Sequence, residues 1–455
     1  MKTLLCKILS KKSILLGRRV KIGLLGLGST NRASLDILLK MQDVADITVR
    51  GAVSNRSEIP DTVSIIDTKS PFENISEDVI IPSPSVRREA LKLPLYTEII
   101  TDYDLVFREH PKHLFTVSGS DGKSTTVTLS SLLLKDAIPD LFTGGNIGVP
   151  LWNTALGDAY LLELSSFTLR YTQPSGGRAL LTNITPNHLD WHASFDEYVD
   201  TKLSLIRSAD EPILNLTDAV SERAARETNA FCLIAEDMTH DKIRSLYRTE
   251  HTVTLQGDAI YLDGRELLRI SEVRHKEHHN LINLASAIAL SIGYTDRCGI
   301  QRVASSFTGL KERCERLELD SIHYISSSID TTPDRTRTTL EGLGERVSLI
   351  LGGRGKGLSL APMRDVLLKY ATRIAIYGEI ADEMLGFIEN DAELCEIPHA
   401  AFRHFDDAAD FAMSELHPGD TLLLSPAATG YGEFEDYKER GRHFKEYVRS
   451  KHSIG

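Results

Sequence analysis

The chain has 455 residues, 41% of them hydrophobic and 25% charged, and its formal net charge at pH 7 is −12. This length exceeds what one ordinary hydrophobic core organises, and at ~150 residues per domain it predicts about three domains. The acidic balance excludes general attraction to nucleic acid or to an anionic membrane. An anionic substrate would therefore need a local pocket lined by basic side chains or backbone N–H groups.

The cysteines and the first residues bear on location. Five cysteines are scattered without a C-x-x-C pair, which predicts a reduced, cytoplasmic compartment and no zinc site. Residues 1–21 are basic with short apolar runs, but they lack the apolar core and cleavage site of a signal peptide, so we interpret them as a leading helix and the start of a strand. No stretch approaches the ~20 apolar residues of a membrane span. Neither nucleic acid nor membrane is an expected partner.

The first third of the chain has the pattern of a nucleotide-binding sheet. An apolar strand from residue 20 runs into a glycine turn, and a helical apolar pattern follows. This is typical of a Rossmann-like domain, in which ligands bind at the carboxyl ends of the strands. The residues at the first two strand ends are Gly28, Ser29, Thr30, Ser54, Asn55 and Arg56. Because Asn31 stands at the last glycine position of G-x-G-x-x-G, a purely structural turn explains the glycines equally well.

The central signal is the sequence GSDGKST at residues 119–125, between an apolar strand and an apolar-periodic helix. Glycines let backbone N–H groups close on phosphate oxygens, Lys123 supplies a mobile positive charge, and Ser124 can bind Mg²⁺. The generic pattern G-x-x-x-x-G-K-[ST] needs glycine where Val117 stands, so a solvated surface loop is the alternative, but the strand and helix context favours a phosphate loop. Its predicted nucleotide contacts are Gly119, Ser120, Asp121, Gly122, Lys123, Ser124 and Thr125.

Two later strand ends carry candidate metal or catalytic groups. Glu163 follows the apolar run at residues 159–162, where nucleotide enzymes place a carboxylate directed at Mg²⁺. A helix-capping acid is the alternative, and the phosphate loop upstream favours the metal role. His188 follows the apolar run at 179–184, where a structural turn is the ordinary interpretation.

A helix with a capping box formed by Ser194 and Glu197 comes next. Lys202 falls on its apolar stripe. The lysine either extends to solvent, the usual case, or is desolvated, which lowers its pKa and leaves a reactive neutral amine. A neutral amine can take up CO₂ as a carbamate, an anion that suits Mg²⁺.

The remaining motifs are weaker. Asn280 and Asn283 share one face of a helix, and they suit hydrogen bonding to a base or a loop. The last third has its own alternation of strands and helices. Within it, GGRGKG at residues 352–357 is a basic glycine loop that either holds a carboxylate or phosphate or is only a mobile turn.

Taken in order, these motifs resemble the Mur ligase family over nearly the whole chain. The matching sequences are GSDGKST at 119–125, GGNIG at 144–148, LELSSF at 162–167, NITPNHLD at 183–190, EYVDTK at 197–202, HNLIN at 279–283, LGGRGK at 351–356 and LSPA at 424–427. The resemblance implies an α/β protein with the three-domain Mur ligase architecture. Its domains would be a Rossmann-like UDP-substrate domain at 1–108, a central P-loop ATPase domain at 109–308 and a Rossmann-like amino-acid-binding domain at 309–455.

The resemblance also implies an activity and a set of ligands. It implies an ATP-dependent carboxylate-amine ligase that joins D-glutamate to UDP-N-acetylmuramoyl-L-alanine through an acyl phosphate. Lys123 would stabilise the transferring phosphoryl group, Ser124 and Glu163 would hold one Mg²⁺, and His188 and a carbamylated Lys202 would serve a second. The other implied contacts are Asn280, Asn283 and Arg313 to the adenine nucleotide, Gly28, Ser29, Thr30, Ser54, Asn55, Arg56, Asn146 and Ser165 to the UDP-sugar, and Thr331, Lys356, Ser425 and Thr429 to the amino acid.

Departures from the family pattern cluster in the last third. Glu312 stands where the family has histidine, and residues 326–328 read Ser-Ser-Ser in place of Asn-Asp-Ser, which removes the acid expected at the ribose. Gly430 stands where a hydroxyl usually meets the amino acid, and Thr429 is the candidate substitute. Two alternatives therefore remain: a divergent Mur or folylpolyglutamate-synthase-like ligase with another substrate, and a non-catalytic nucleotide-binding regulatory homologue.

Overall fold

A computed structural model describes residues 2–27, 29–51, 56, 59–68, 70–84, 86–146, 151–154, 157–186, 191–310, 312–355 and 358–452. The chain forms two compact units, Met1–Phe307 and Thr308–Gly455. Among the residues described, the first unit contains two sheets and the second contains one. The predicted α/β class is confirmed. A division of the first unit near residue 108 stays a prediction.

The first sheet is parallel, with strand order β3-β2-β1-β4-β5. Its strands are β1 (Val20–Leu25), β2 (Val44–Arg50), β3 (Val63–Ile66), β4 (Val79–Pro82) and β5 (Glu98–Ile99), and the helices of this region are α1 (Lys2–Leu16), α2 (Ser29–Leu38) and α3 (Asp102–Glu109). Asp78, just before β4, is buried and pairs with Arg18 at 2.8 Å. The leading helix predicted from the sequence is confirmed as α1, which packs on β1 through Leu5 and Leu9.

The second sheet has the order β14-β13-β12-β11-β10-β9-β6-β8-β7, parallel from β7 to β12 and antiparallel at β13 and β14. Its strands are β6 (His113–Ser118), β7 (Phe142–Gly145), β8 (Ala159–Glu163), β9 (Arg178–Leu181), β10 (Glu211–Asn215), β11 (Ala230–Glu236), β12 (Thr249–Gln256), β13 (Ala259–Leu262) and β14 (Arg265–Arg269). The helices that accompany them are α4 (Lys123–Leu134), α5 (Ser166–Leu169), α6 (Phe195–Arg207), α7 (Ala219–Glu227), α8 (His240–Leu246), α9 (His278–Leu290) and α10 (Arg297–Ser306).

This central sheet is covered on both faces. Along β6, Leu114 joins one hydrophobic cluster while Phe115 and Val117 join another, because successive side chains of a strand point to opposite faces. Such double burial explains why its strands read as continuous apolar runs rather than as alternating patterns. The buried strands thereby fix the loops at their carboxyl ends.

The third sheet, in the second unit, has the order β15-β16-β20-β17-β18-β19, with only the β15–β16 pairing antiparallel among the described strands. Its strands are β15 (Glu315–Leu319), β16 (Ile322–Ser326), β17 (Val347–Gly352), β18 (Ala371–Tyr377), β19 (His399–Phe402) and β20 (Thr421–Leu424), and its helices are α11 (Pro333–Leu343), α12 (Arg364–Tyr370), α13 (Ala381–Glu389), α14 (Phe405–Met413) and α15 (Tyr437–His452). Among the residues described, none of the helices combines the length and apolar character that crossing a bilayer requires.

Candidate active site

The loop between β6 and α4 has a backbone shape that requires glycine at two positions. Gly119 has φ 146°, and a Cβ there would lie 1.8 Å from Thr182 Oγ1. Gly122, the N-cap of α4, has φ 77°, and a Cβ there would lie 2.2 Å from Asn283 Oδ1. Any side chain would therefore clash with a neighbour and strain the backbone. The loop leaves the N-terminus of α4, with its partial positive charge, available to an anion.

The loop is held by its neighbours. Ser120 Oγ bonds to Tyr198 OH at 2.8 Å and to the backbone of Thr185, and the Asp121 N–H donates to Asn183 Oδ1 at 2.9 Å. Lys123 Nζ turns back over the loop and donates to the Gly119 carbonyl at 3.0 Å and the Ser120 carbonyl at 2.7 Å. These contacts preorganise the loop before any ligand arrives.

Glu163 ends β8 directly beside the loop, because β8 pairs with β6 in a register that places it opposite Val117. Its side chain is 1% exposed. The Ser124 hydroxyl donates to Oε2 at 2.8 Å, and the Asn146 amide donates to Oε1 at 3.1 Å. Neutral donors, which an incoming cation can displace, thus orient this buried carboxylate beside the loop.

The oxygen atoms of Ser124 and Glu163 fit Mg²⁺. Adjacent ligands of an octahedral Mg²⁺ with bonds of about 2.1 Å lie about 3 Å apart, and the two oxygens here are 2.8 Å apart. Within the described ranges, no three His, Cys, Asp or Glu side chains come together as a metal-binding group. Mg²⁺ does not need such a group, because it commonly binds one or two protein oxygens together with phosphate and water.

Lys202 lies on α6 with its side chain buried, 1% exposed. Of the two alternatives for this lysine, the structure has the desolvated one. Its Nζ donates to the Gly119 carbonyl at 2.8 Å and lies 4.9 Å from the centre of the Tyr198 ring. Burial, reinforced by the charge of Lys123, holds the pKa of Lys202 well below its usual range, against the opposing effect of Asp121 and Glu163. This shift favours the neutral amine over the ammonium form.

The capping box predicted at the start of α6 is only half formed. Ser194 accepts from the Glu197 N–H at 3.1 Å, as predicted. The Glu197 carboxylate, however, accepts from the Ala193 N–H and pairs with Arg170 instead of returning to the N-cap residue. The Arg170 guanidinium, which also pairs with Glu89, supplies a charged partner that competes with the backbone donor.

A cavity of about 310 Å³ opens in the first unit. Thr30 and Asn146, two of the predicted UDP-substrate contacts, line it together with Asp102, Tyr103 and Trp152. Burial raises the pKa of Asp102 to about 7, although backbone N–H donors oppose the shift. The cavity shares Asn146 with the Glu163 carboxylate, so it adjoins the phosphate loop.

Other predicted substrate contacts do not line this cavity in the part of the chain described. Ser165 instead caps α5 and bonds to Thr168. Arg56 is exposed. For Ser29 the structure describes only the backbone, at the start of α2. The predicted residues that fall outside the described ranges are Gly28, Ser54, Asn55, His188 and Lys356.

The two predicted adenine contacts of the first unit differ in their surroundings. Asn283 is buried, and its Oδ1 lies 3.4 Å from Thr126 Oγ1 and against Gly122. Asn280 is partly exposed and donates to Glu277 at 3.1 Å. Thr125 follows Ser124 in the first turn of α4. Asn283 is thus brought to the phosphate loop, whereas Asn280 lies one turn away on α9.

In the second unit, the polar groups at the strand ends are bonded to one another. Ser425 is fully buried; its hydroxyl donates to Asp330 at 2.8 Å and lies 3.0 Å from Thr336 Oγ1. Thr429 donates to the Arg354 carbonyl at 2.9 Å. The two other predicted residues described there are Thr331, partly exposed, and Arg313, exposed.

Two departures from the family pattern contact each other. Glu312, with φ 59°, is buried, and its carboxylate accepts from the Ser326 hydroxyl at 2.7 Å and pairs with Lys445 at 2.6 Å. Gly441 makes room for it, because a Cβ there would lie 1.5 Å from Glu312 Oε2. Lys445 also pairs with Glu315. The altered residues therefore form a satisfied network rather than a gap in the second unit.

Sequence reasoning missed two contributors. In the sequence, Tyr198 is only one of the apolar positions of α6, yet it bonds to Ser120 and faces Lys202. Its spacing of four residues from Lys202 was the available signal. Asp102 gave no signal, because an acid in the first turn of a helix is ordinary, and only the tertiary structure shows that it lines a cavity.

Known proteins resemble this chain in sequence and in fold. A family model described as the Mur ligase middle domain matches residues 117–291. A UDP-N-acetylmuramoylalanine–D-glutamate ligase of Ruminiclostridium cellulolyticum is 30% identical over 398 residues, which cover 82% of this chain and 83% of that protein. An enzyme of the same name from Acetivibrio thermocellus is 29% identical over 389 residues, with the same coverage of 82% and 83%.

The fold has a solved counterpart. The structure of a pseudomurein peptide ligase type C from Methanothermus fervidus matches with a TM-score of 0.51 and 14% identity, covering 95% of this chain and 100% of that chain. At this identity the likeness concerns the fold alone.

Proposed function

The chain belongs to the Mur ligase family, and from that premise we propose that it joins D-glutamate to UDP-N-acetylmuramoyl-L-alanine. Members of the family are ATP-dependent ligases that form amide bonds. The relatives named above support the finer assignment of substrates, since they align over most of both chains. The observation that carries the proposal is the grouping of Ser124, Glu163 and Lys202 around the phosphate loop.

The proposed reaction has two steps. The substrate carboxylate attacks the γ-phosphorus of ATP, the bond to the bridging oxygen breaks, and ADP leaves. The amine of D-glutamate then attacks the acyl carbon, loses a proton and expels phosphate, which leaves an amide. The first step needs positive charge near the γ-phosphate, because the carboxylate and the phosphate repel each other.

The residues of the loop would supply part of that charge. The N–H groups at the start of α4 would bind phosphate oxygens. Lys123 would exchange its two carbonyl acceptors, Gly119 and Ser120, for the transferring phosphoryl group. A lysine bonded to neutral carbonyls loses little when it moves to an anion.

Ser124 and Glu163 would hold Mg²⁺, for which their oxygen atoms fit. When bound, Mg²⁺ would neutralise the charge of the phosphates as the γ-phosphoryl group moves. Asn146 would keep Glu163 in orientation through its bond to Oε1. The same amide reaches the cavity, so it would also meet the UDP-sugar.

Lys202 would act as a carbamate. Its buried position lowers the pKa of the amine, which favours the neutral form that adds to CO₂ with loss of one proton. The carbamate would give this lysine the negative charge that a second Mg²⁺ requires. His188 would complete that second site.

The remaining assignments follow the three proposed domains. Residues 1–108 would bind the UDP moiety, 109–308 ATP and 309–455 the amino acid. Around the cavity, Thr30 and Asn146 would contact the UDP-sugar, with Gly28, Ser29, Ser54, Asn55, Arg56 and Ser165 as the further proposed contacts. Asn280, Asn283 and Arg313 would contact the nucleotide, and Thr331, Lys356, Ser425 and Thr429 would serve the amino acid.

The test is phosphate release from ATP with Mg²⁺, bicarbonate, UDP-N-acetylmuramoyl-L-alanine and one candidate amino acid at a time. The expected result is phosphate release when D-glutamate is the amino acid, and none with the other amino acids. Release with another amino acid would preserve the ligase chemistry and overturn the substrate assignment. Release with none, together with tight ATP binding, would favour a regulatory homologue instead.

A further inference from the structure

The first residues of the chain carry a net positive charge, whereas the rest of the chain is acidic. Residues 1–35 hold eight Lys and Arg and no Asp or Glu, while all 64 acidic residues and the other 44 basic ones follow. Charge segregation of this kind within an acidic protein marks a surface that attracts anions locally. None of the active-site assignments above uses α1.

Three lysines of α1 are exposed: Lys7 and Lys11 on the face opposite its buried leucines, and Lys2 in its first turn. Leu5 and Leu9 are fully buried against the first sheet, whereas Lys2, Lys7 and Lys11 are exposed. Within the described part of the chain these three lysines have no hydrogen-bond or ion-pair partner. Their charge is therefore not cancelled at the surface, unlike that of Lys12 and Arg18 of the same segment, which pair with Glu98 and Asp78.

Aliphatic side chains project beside these lysines. Ile14 is 81% exposed and Leu15 is 77% exposed in the last turn of α1. Leu95 is fully exposed and Tyr96 is half exposed in the turn before β5. Lys12 Nζ donates to the Tyr96 carbonyl at 3.2 Å, so this turn lies against the end of α1. Of the eight large apolar side chains found exposed in the described chain, four belong to this corner.

We propose that the surface formed by Lys2, Lys7, Lys11, Ile14, Leu15 and Leu95, here called the α1 surface, binds anionic lipid bilayers. The lysines would lie at the phosphate headgroups, and the aliphatic side chains would enter the boundary between headgroups and acyl chains. The helix has 15 residues, fewer than the ~20 that span a bilayer, so adsorption at the interface is the fitting mode. This departs from the sequence expectation of no membrane partner, which rested on the charge of the whole chain.

A lipid surface explains more features of the α1 surface than an acidic protein partner does. An acidic partner would explain the lysines, but not the three aliphatic side chains exposed next to them. A bilayer interface uses both, since basic residues attract anionic headgroups and Ile and Leu side chains gain from leaving water. Because one short helix carries the contacts, binding should be reversible and should weaken as salt screens the lysines.

The experiment is co-sedimentation of the full chain with vesicles of phosphatidylcholine alone or with 30% phosphatidylglycerol, at low and high NaCl. We expect the bound fraction at low salt to be at least about 10-fold higher on the anionic vesicles, and to fall at high salt. Equal sedimentation on both compositions would overturn the proposal. Bound poly-L-glutamate with no bound vesicles would overturn it in favour of an acidic protein partner.

Variants separate the two parts of the α1 surface. Lys7→Glu with Lys11→Glu should abolish vesicle binding, and Ile14→Ser with Leu15→Ser should reduce it several-fold while leaving its salt dependence. The matched control is Lys242→Glu with Arg244→Glu, two exposed basic residues of α8, which should bind like the wild type. Loss of binding in the control equal to that of the Lys7 and Lys11 variant would contradict the assignment. Phosphate release by all three variants should match the wild type, which shows that they are folded.

Discussion

Charged side chains at the strand ends of the second sheet and of the third sheet differ in the kind of partner that they contact. Around the phosphate loop, neutral donors bond to Glu163 and a backbone carbonyl accepts from Lys202. Both side chains therefore remain able to interact with an incoming ligand. In the second unit, Glu312 is paired with Lys445, and Asp330 accepts from the hydroxyls of Thr339 and Ser425. The charged groups near the loop have neutral partners, whereas those of the second unit are neutralised or hydrogen-bonded within the unit.

The difference predicts how each region responds to a changed residue. A changed residue in a satisfied network can be matched by a neighbour, as Ser326 matches Glu312. A changed residue at the phosphate loop would leave a buried charge or a clash without such compensation. We therefore expect substitutions near the loop to act mainly on turnover, and substitutions in the second unit to act mainly on stability.

The largest expected effect is that of Lys202→Met. Phosphate release should fall at least about 10³-fold, because the charge that the carbamate would bring is lost. Measurement of release at several bicarbonate concentrations checks this, with Lys242→Met of α8 as an exposed control. Activity of Lys202→Met close to that of the wild type would remove the lysine from the mechanism.

The same variant has a stability signature. Because burial lowers the pKa of Lys202, the folded protein binds fewer protons than the unfolded chain, and wild-type stability should rise as pH increases toward the ordinary lysine range. In bicarbonate-free buffer at pH 7, Lys202→Met should thus be more stable than the wild type, with the gap closing toward pH 10. Chemical unfolding across this pH range measures it.

Asp102→Asn tests whether the cavity raises the pKa of the Asp102 carboxyl group toward neutral pH. The pKa of Asp102 is raised from 3.8 to about 7 in the folded state, so the wild type loses stability as pH rises from about 4 through 7 and is then level. The asparagine variant lacks this loss. Above pH 7 its free energy of unfolding should exceed that of the wild type by up to about 4 kcal/mol, at about 1.4 kcal/mol for each pKa unit. A difference independent of pH would show that the carboxyl titrates normally.

Gly122→Ala should weaken ATP binding by roughly 10²-fold, because the new Cβ would clash with Asn283 and disturb the donors of the loop. Gly257→Ala is the matched control, since Gly257 also has positive φ, 57°, but no atom within 4 Å of a Cβ. The control should carry only the backbone cost of about 1 kcal/mol in unfolding. Calorimetric titration with ATP distinguishes the two, and unchanged ATP affinity of Gly122→Ala would show that the loop does not bind the phosphates.

Glu312→Gln should have the smallest effect on turnover. Removing its charge leaves Lys445 with Glu315 alone, which should lower the free energy of unfolding by about 1–3 kcal/mol while kcat stays within about twofold. Glu318→Gln, at an exposed position of β15, is the control. A large rise in the amino-acid KM without loss of stability would show that the network serves binding, and the contrast between the two regions would fail.

Local chemistry decided what the sequence could predict. Apolar runs bounded by glycine identify β6 and its neighbours because a strand buried on both faces needs continuous hydrophobic residues. The loop at 119–125 and the acid at 163 were recognisable because phosphate binding needs glycine, lysine and a hydroxyl at fixed spacing. The α/β class followed from the alternation of strands and helices, and the resemblance to the family followed from the order of the motifs. Connections in parallel sheets place successive strand ends at one edge, which is why these motifs recur at strand ends.

Only the tertiary structure decided which polar side chains are buried, and against what. Helical spacing left Lys202 with two alternatives, and the packing of α6 against the loop selected the buried one. Asp102 and Tyr198 acquired their surroundings from residues distant in sequence, as did the contact between Glu312 and Lys445. A pKa depends on desolvation and on charges within a few ångströms, and neither quantity exists along the sequence until the chain has folded.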